Sequence, residues 1–368
     1  SEVLDYLLKD LDAAVPNLPL KYSGTDVGRA SQGAALALKC RILLRNEKWA
    51  DAATAAKEVM DLGIYDLFND YVGIFQEANE NNIEVIFDIQ YIKNLQPQPY
   101  PTTCVSFTNW ATPNVSVDLI DDYYMTNGKP ITDPASGYDS QNPYLNRDPR
   151  LYETFILDGD KYNGRTAALT EALASDPVNY PQGADWAQGG STHVLSLGTG
   201  LACRKWGLDR NTEWKNRPIQ WPFLRLAEIY LSYAEALNEY NGSPNAQAYD
   251  AVDKVRARVN LPGLKKGLGQ KEFREALLRE RACEFGYEEV RFFDLIRWKL
   301  YNVFEKQLHG LHVYKHKDTG EYKFVPYELT KYPRVWWTSG FEPRWCLSAF
   351  PSVEINKGYG LVQNPGWE

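Results

Sequence analysis

Between Arg279 and Arg297 the chain sets Glu280, Glu284, Glu288 and Asp294 among Arg279, Arg281, Arg291 and Arg297. Paired carboxylates are the raw material of general acid and base catalysis, which requires one of them to keep its proton near neutral pH. Arginines three and four residues away act in the opposite sense, because they stabilise the ionised carboxylate. The spacing therefore predicts ion pairs with Arg281, Arg291 and Arg297 that fix one helical hairpin on the next, and no catalytic acid.

His309, His312 and His316 would meet at one metal only if their segment were helical. Val313-Tyr314-Lys315 and Glu321-Tyr322-Lys323-Phe324 flank a Lys317-Asp318-Thr319-Gly320 turn instead, so a hairpin over His312 to Phe324 is predicted and no metal site is expected. The stretches Gly189-Gly190 and Gly198 to Gly200 lack the Lys-Ser or Lys-Thr of a phosphate loop, and no GxSxG elbow occurs. A nucleophilic triad would have to draw on those histidines or on His193 in a Ser/Gly loop, so hydrolase activity is not expected. The five cysteines, Cys40, Cys104, Cys203, Cys283 and Cys346, are scattered without a CxxC pair. They indicate neither zinc nor a disulfide framework and leave one bridge between loop cysteines open. No cofactor is implied.

What remains is aromatic rings beside polar groups. The 368 residues contain 11 Trp, 24 Tyr and 14 Phe against 2 Met. Sugars present apolar C–H faces and a rim of hydroxyls, so a glycan site needs flat rings to lie against and Asn, Asp or Arg groups for the rim. Asn109-Trp110, Tyr138-Asp139, Asp185-Trp186 and Arg204-Lys205-Trp206 supply that combination in turn-rich sequence. The candidate ligand residues are accordingly Asn109, Trp110, Tyr138, Asp139, Asp185, Trp186, Arg204 and Trp206. The plainer alternative for any single ring is that it plugs its loop onto the core, since Trp is usually largely buried. An enzyme acting on glycans would need two carboxylates flanking the cleft, and Asp121, Asp122 and Asp185 are the loop acids to consider.

The elements that must position these groups are mostly helical. Gly28 to Asn46 and Lys48 to Leu62 carry Ala and Leu at helical spacing, with Gly63 closing the second. Trp49, Ala52, Ala56 and Val59 put one large ring and then small residues on a single face, which allows close antiparallel packing of the tetratricopeptide kind. Phe223 to Tyr240 and Ala246 to Val259 form a second predicted hairpin, with Pro244 at a helix start and Pro262-Gly263 as a stop. Lys271 to Phe285 and Tyr287 to Tyr301 form a third, and Ser1 to Val15 reads as half of another. Such repeats normally run in tandem, so the sequence between Gly63 and Pro222 is an insertion, with a short strand at Val85 to Tyr91 and turn chemistry elsewhere. Loops of that length usually bind something.

The expected organisation is a single domain, 1–368: helical scaffold at 1–62 and 222–301, loop-rich ligand-binding insertion at 63–221, and an irregular region at 302–368. The fold class is mainly α, with about four tetratricopeptide-like hairpins in an α-α superhelix, long loop-rich insertions and a few short strands. The net charge of -8 argues against a phosphate-backbone partner, so no nucleic acid is expected. No apolar stretch approaches the roughly 20 residues that span a bilayer. The chain opens at Ser1 on an amphipathic run, without initiator Met or apolar signal region, as a processed or truncated product would.

Several segments together resemble the SusD/RagB family of outer-membrane nutrient-binding lipoproteins. They are Gly28-Arg29-Ala30 with Gly33 to Lys39, Trp49 to Ala53, Tyr65-Asp66-Leu67-Phe68, and Glu84 to Asp88. Further on come Asn146-Arg147-Asp148-Pro149-Arg150-Leu151, Leu224 to Leu231 with Ala234-Glu235-Ala236, and Arg279-Glu280-Arg281 through Glu284-Phe285, Glu288 and Arg291 to Trp298. Ile355-Asn356 and Asn364-Pro365-Gly366-Trp367 close the chain. The resemblance implies a non-catalytic glycan-binding protein at the outer-membrane surface that delivers its ligand to a SusC-like TonB-dependent transporter. It also implies a lipid anchor and further helices in an amino-terminal portion that this chain lacks, the anchor being its only membrane contact. In the family, stacking aromatics come from variable loops, so no ligand residue carries over by motif. A protein-interaction repeat scaffold, or a family member binding a non-carbohydrate nutrient such as a peptide, is the competing expectation.

Overall fold

The computed structural model describes residues 2–92, 94–95, 116–162, 164–185, 201–206, 220–330 and 334–367. Helix α1 (Glu2–Ala14) leads to a hairpin of α2 (Gln32–Arg45) and α3 (Trp49–Asp61). Ser31 caps α2 by accepting from the Ala34 amide, which satisfies one of the donors a helix start leaves open. On α3, Ala52, Ala55, Ala56 and Val59 are buried, so the small-residue face seen in the sequence is the packing face. Gly33 is dictated by a close approach: a Cβ there would lie 2.3 Å from the Tyr65 hydroxyl.

After two short helices in the insertion, α4 (Val117–Asp122) and α5 (Pro149–Thr154), the array resumes with α6 (Leu226–Asn241), α7 (Ala246–Arg258) and α8 (Gln270–Glu284). Helix α3 lies against α6, and α6 against both α7 and α8, so the insertion separates the hairpins along the chain without separating them in space. One core of Leu, Val, Ala and aromatic side chains runs through α2, α3, α6, α7 and α8. Gly242 at φ 70° ends α6 in the left-handed conformation, and Asn245 caps α7.

Two predicted helices are corrected. Trp221–Arg225 is not the first turn of α6 but a strand, β6, paired antiparallel with β1 (Val85–Ile89). Its alternating aromatic and aliphatic side chains fit a pleated edge, and Pro222 has no amide to offer a helix interior. The predicted helix from Tyr287 to Tyr301 is two pieces, α9 (Val290–Arg297) and α10 (Tyr301–Glu305). Tyr287, Glu289 and Lys299 take φ of 62°, 61° and 53°, which breaks the helical path on both sides of α9.

The described part of the insertion holds more packed structure than its turn-rich sequence implies. Ile120 and Tyr123–Tyr124 after α4, and Leu151 and Phe155 around α5, form a second core closed by Cys283 of α8. Short ladders β2 (Phe155–Ile156) with β5 (Ala202–Cys203), and β3 (Lys161–Tyr162) with β4 (Arg165–Thr166), brace it. The predicted carboxy-terminal hairpin is present as β7 (His309–Lys315) and β8 (Tyr322–Glu328). Cys40, Cys203, Cys283 and Cys346 are free thiols, while Cys104 lies outside the described residues. No helix is long and apolar enough to cross a membrane among the described residues.

Candidate functional site

The carboxylates of the Arg279–Arg297 run are not arranged for proton transfer. Glu280 receives Arg150 at 2.6 Å and Arg256 at 2.7 Å. Glu284 receives Arg150 at 3.0 Å, Arg225 at 2.6 Å and Arg258. Glu288 pairs with Arg225 at 2.7 Å and with Lys205 at 2.6 Å, while Glu84 pairs with Arg225 at 2.7 Å and Arg258 at 2.8 Å. Every one of these side chains is at most 5% exposed. Burial by itself would raise the Glu284 carboxyl, yet Arg258, Arg225 and Arg150 hold it well below the usual range. Asp294 is likewise opposed by burial and drawn down to about 2 by Arg281 and Arg297. Burial pushes the Lys205 ammonium down to about 8 against the pull of Glu288.

The expected ion pairs along the helix are therefore mostly replaced by longer-range ones. Arg281 and Arg297 do meet Asp294, at 2.7 and 2.8 Å, but Arg297 also reaches Glu235 and Arg291 reaches Asp122. The hub joins segments far apart in sequence: Glu84, α5, β6, α7 and α8. Sequence reasoning named Arg150, Arg225 and the four glutamates Glu84, Glu280, Glu284 and Glu288 inside motifs, and missed Lys205, Arg256 and Arg258 as their partners.

The histidines do not converge. His309 Nδ1 lies 3.0 Å from Asp118, His312 pairs with Glu171, and His316 accepts from the Asp318 and Thr319 amides. No group of three metal-ligating side chains occurs among the described residues. Two of the loop acids are engaged, Asp122 with Arg291 at 3.0 Å and Asp185 with Arg165 at 2.6 Å and the Ala168 amide, whereas burial pushes Asp121 on α4 up to about 6 against the charge of Arg147.

Of the eight residues nominated for a ligand, Asn109, Trp110 and Trp186 lie outside the described residues. Trp206 is in the core, 2% exposed, stacked on Trp221 at 4.5 Å, with its indole N–H donating to the Tyr287 carbonyl. Arg204 pairs with Asp160 at 2.8 Å, and Asp185 is buried as the clamp just described. Tyr138 is half-buried under the guanidinium of Arg147, 5.5 Å from its ring centre. Asp139 is exposed and accepts from the Gln141 amide and the Asn142 side chain, which closes its own turn and holds its carboxyl below the ordinary range. These five are spread over separate supports, and four of them serve the fold where they stand.

Two concavities among the described residues bear on a ligand site. One, of about 290 Å³, lies between α2, β6 and α9, walled by Phe223 and Phe293. Its deep charges are already paired, Arg41 with Glu228 and Arg297 with Asp294. The other, of about 230 Å³, lies between the 20–31 segment, Tyr65 and β1. Asp88 lines it, 5% exposed, and its Oδ2 has no hydrogen-bond partner among the described residues. Burial pushes that carboxyl up to about 6. Sequence reasoning missed it, because an Asp ending a strand motif carries no pattern of its own.

The model of the SusD family matches residues 73–367. A SusD-like protein of Formosa agariphila is 28% identical over 304 residues, covering 80% of this chain and 55% of its own length. The chain spans about half the length of the curated relatives it matches. A crystal structure of a SusD-like protein from Bacteroides fragilis superposes with a TM-score of 0.79 at 29% identity, covering 100% of this chain and 71% of that one. A second from the same organism, described as a SusD-like carbohydrate-binding protein, gives 0.72 at 25% identity over 84% of this chain and 60% of that one.

Proposed function

The chain belongs to the SusD family, and we propose that it captures a glycan without cleaving it and hands it to a SusC-like TonB-dependent transporter. It does so as part of a surface-exposed outer-membrane lipoprotein. The observation that carries the non-catalytic half is the saturation of its central carboxylates: Glu84, Glu280, Glu284 and Glu288 each face at least one buried cation. A glycosidase acid has to be protonated at working pH, and such surroundings favour its ionised form. The glycan half is supported by the 25% identical relative described as carbohydrate-binding and by the polar, ring-walled concavity at Asp88.

We read residues 1–368 as a single domain, because the buried hub ties the inserted segment at Arg150 to the scaffold at Arg225, Arg256 and Glu280. Asn109, Trp110 and Trp186, with Tyr138 and Asp139, remain the sequence-nominated ligand surface. The test is affinity electrophoresis through polysaccharide gels beside Trp110→Ala and Trp186→Ala, with product analysis of each hit. Retardation by one polysaccharide class without chain cleavage supports the reading, and loss of retardation in a Trp variant places the ring. Retention by peptide and by no glycan would replace it with the nutrient-binding alternative.

A further inference from the structure

We propose that the concavity at Asp88 is a subsite for a single neutral sugar unit, whose hydroxyl donates to the buried Asp88 carboxylate. The proposal rests on the glycan-binding reading and gives it a ligand chemistry and a place. Buried acceptors are almost always satisfied, so an orphaned, 5% exposed carboxylate oxygen facing a concavity calls for a donor from outside the chain.

The carboxylate is served on one side by the Asp88 amide and by Gln90, which leaves Oδ2 without a donor. Asp88 sits across the sheet from Pro222, which has no amide hydrogen, and the β1–β6 register slips between Phe87 and Asp88. Irregularities of this kind re-aim a side chain out of the ladder. Gln90 hydrogen-bonds the Asp88 carboxylate and also donates to Asn81 at 3.2 Å. Gly28, at φ 96°, makes room for that amide: a Cβ there would lie 2.4 Å from it. The carboxylate is thus held in place by its neighbours while one oxygen, buried at the wall of the concavity, is left without a donor.

Charge selects among possible donors. Lys21 lines the same concavity and opposes a cationic ligand, Arg29 there being paired with Asp26 at 3.2 Å, whereas the desolvated Asp88 opposes an anionic one. A neutral hydroxyl donor suits both. The walls, Tyr22, Tyr65, Ile83 and Phe87, offer apolar and aromatic surface for the C–H face of a pyranose. The volume of about 230 Å³ falls below the roughly 300–1,000 Å³ typical of drug-sized ligands, which fits one ring of a longer chain.

The experiment measures saturation-transfer NMR of the chain with methyl glycosides of neutral hexoses and pentoses, with methylammonium and acetate as charged probes. It compares wild type, Asp88→Leu and Ile83→Trp, and takes a thermal melt of each. Leucine keeps the shape and removes the acceptor. The tryptophan fills the concavity from an exposed wall position, 51% exposed, where it disturbs no packing. The expected result is binding of at least one methyl glycoside and neither ion, reduced at least tenfold in both variants, with a melting midpoint for Asp88→Leu equal to or above wild type.

Unchanged glycoside binding in Ile83→Trp, or preferential binding of methylammonium or acetate, overturns the subsite. So does absence of methyl glycoside binding by wild type. In those cases polysaccharide retardation of wild type separates the two ideas: if retained, the glycan reading stands with its site elsewhere, and if absent, both fall. A lowered melting midpoint for Asp88→Leu with normal binding in Ile83→Trp would make Asp88 a structural residue.

Discussion

The hub around Glu284 and the concavity at Asp88 both bury carboxylates, and they do it in opposite ways. At the hub each acid is surrounded by guanidinium groups, so burial costs are offset by several charge-assisted bonds and the ionised state is favoured. At Asp88 burial goes unopposed by any cation in hydrogen-bond contact, and the carboxyl rises to about 6. A group satisfied on all sides holds a fold together and has nothing left to offer a ligand. A group left with an open oxygen costs stability and gains meaning only through what binds it.

The largest effect that tests this contrast is at the hub. Arg225 serves Glu84, Glu284 and Glu288, so Arg225→Met leaves three buried acids short of a cation. The expected loss is at or above the upper end of the roughly 3–5 kcal/mol found on breaking one buried pair, read as a shift in denaturant midpoint. A change below about 1 kcal/mol would mean the hub tolerates an uncompensated charge. Trp206→Ala comes next, at about 3–5 kcal/mol, because it empties a core position between Phe75 and Trp221. Glycan retardation of the folded fraction should survive that change; its selective loss would return Trp206 to the ligand surface.

The pH dependence of stability separates the regions by sign. Glu284 and Asp294 have depressed folded values, so their contribution is complete above the unfolded range near pH 4 and is lost as pH falls toward about 2, the folded value of Asp294. Asp88 has a raised folded value of about 6, so its penalty is present above pH 6 and is relieved on acidification toward about 4. Stability should therefore drift upward slightly from pH 7 to about pH 5 and then fall; Glu80, raised to about 7, and Asp121, raised to about 6, add to the first part, so Asp88→Leu should diminish it without abolishing it. A wild-type curve identical to that of Asp88→Leu through this window would contradict the assignment. The smallest effect on stability is expected at Asp139→Ala, an exposed turn residue, whose melting midpoint should match wild type.

The hub was legible because its residues sit in the motifs that carried the family resemblance. Arg150 lies in Asn146-Arg147-Asp148-Pro149-Arg150-Leu151, Arg225 in Leu224-Arg225-Leu226, and Glu280 and Glu284 in the Arg279 run. What the spacing could not disclose was the pairing, since local helical periodicity speaks for neighbours three and four residues apart and the partners here are up to 174 residues away. The helical hairpins were legible from Ala and Leu periodicity, with the boundary errors at Phe223 and Tyr287 arising where a strand ladder and left-handed residues override it. Trp206 and Arg204 show why local composition does not place a ring: a ring beside a cation looks the same in a loop whether it faces solvent or core. Asp88 was invisible as a site, since nothing in Phe87-Asp88-Ile89 says that the partner strand offers a proline.

The most direct test of non-catalytic capture is polysaccharide affinity electrophoresis of the wild-type chain, followed by reducing-end analysis of the retained polymer. Retardation by a polysaccharide class with no new reducing ends is the predicted result. Release of reducing ends that persists in Asp121→Asn, Asp122→Asn and Asp185→Asn controls for contamination, whereas release abolished by one of these substitutions would contradict the account by making the protein an enzyme.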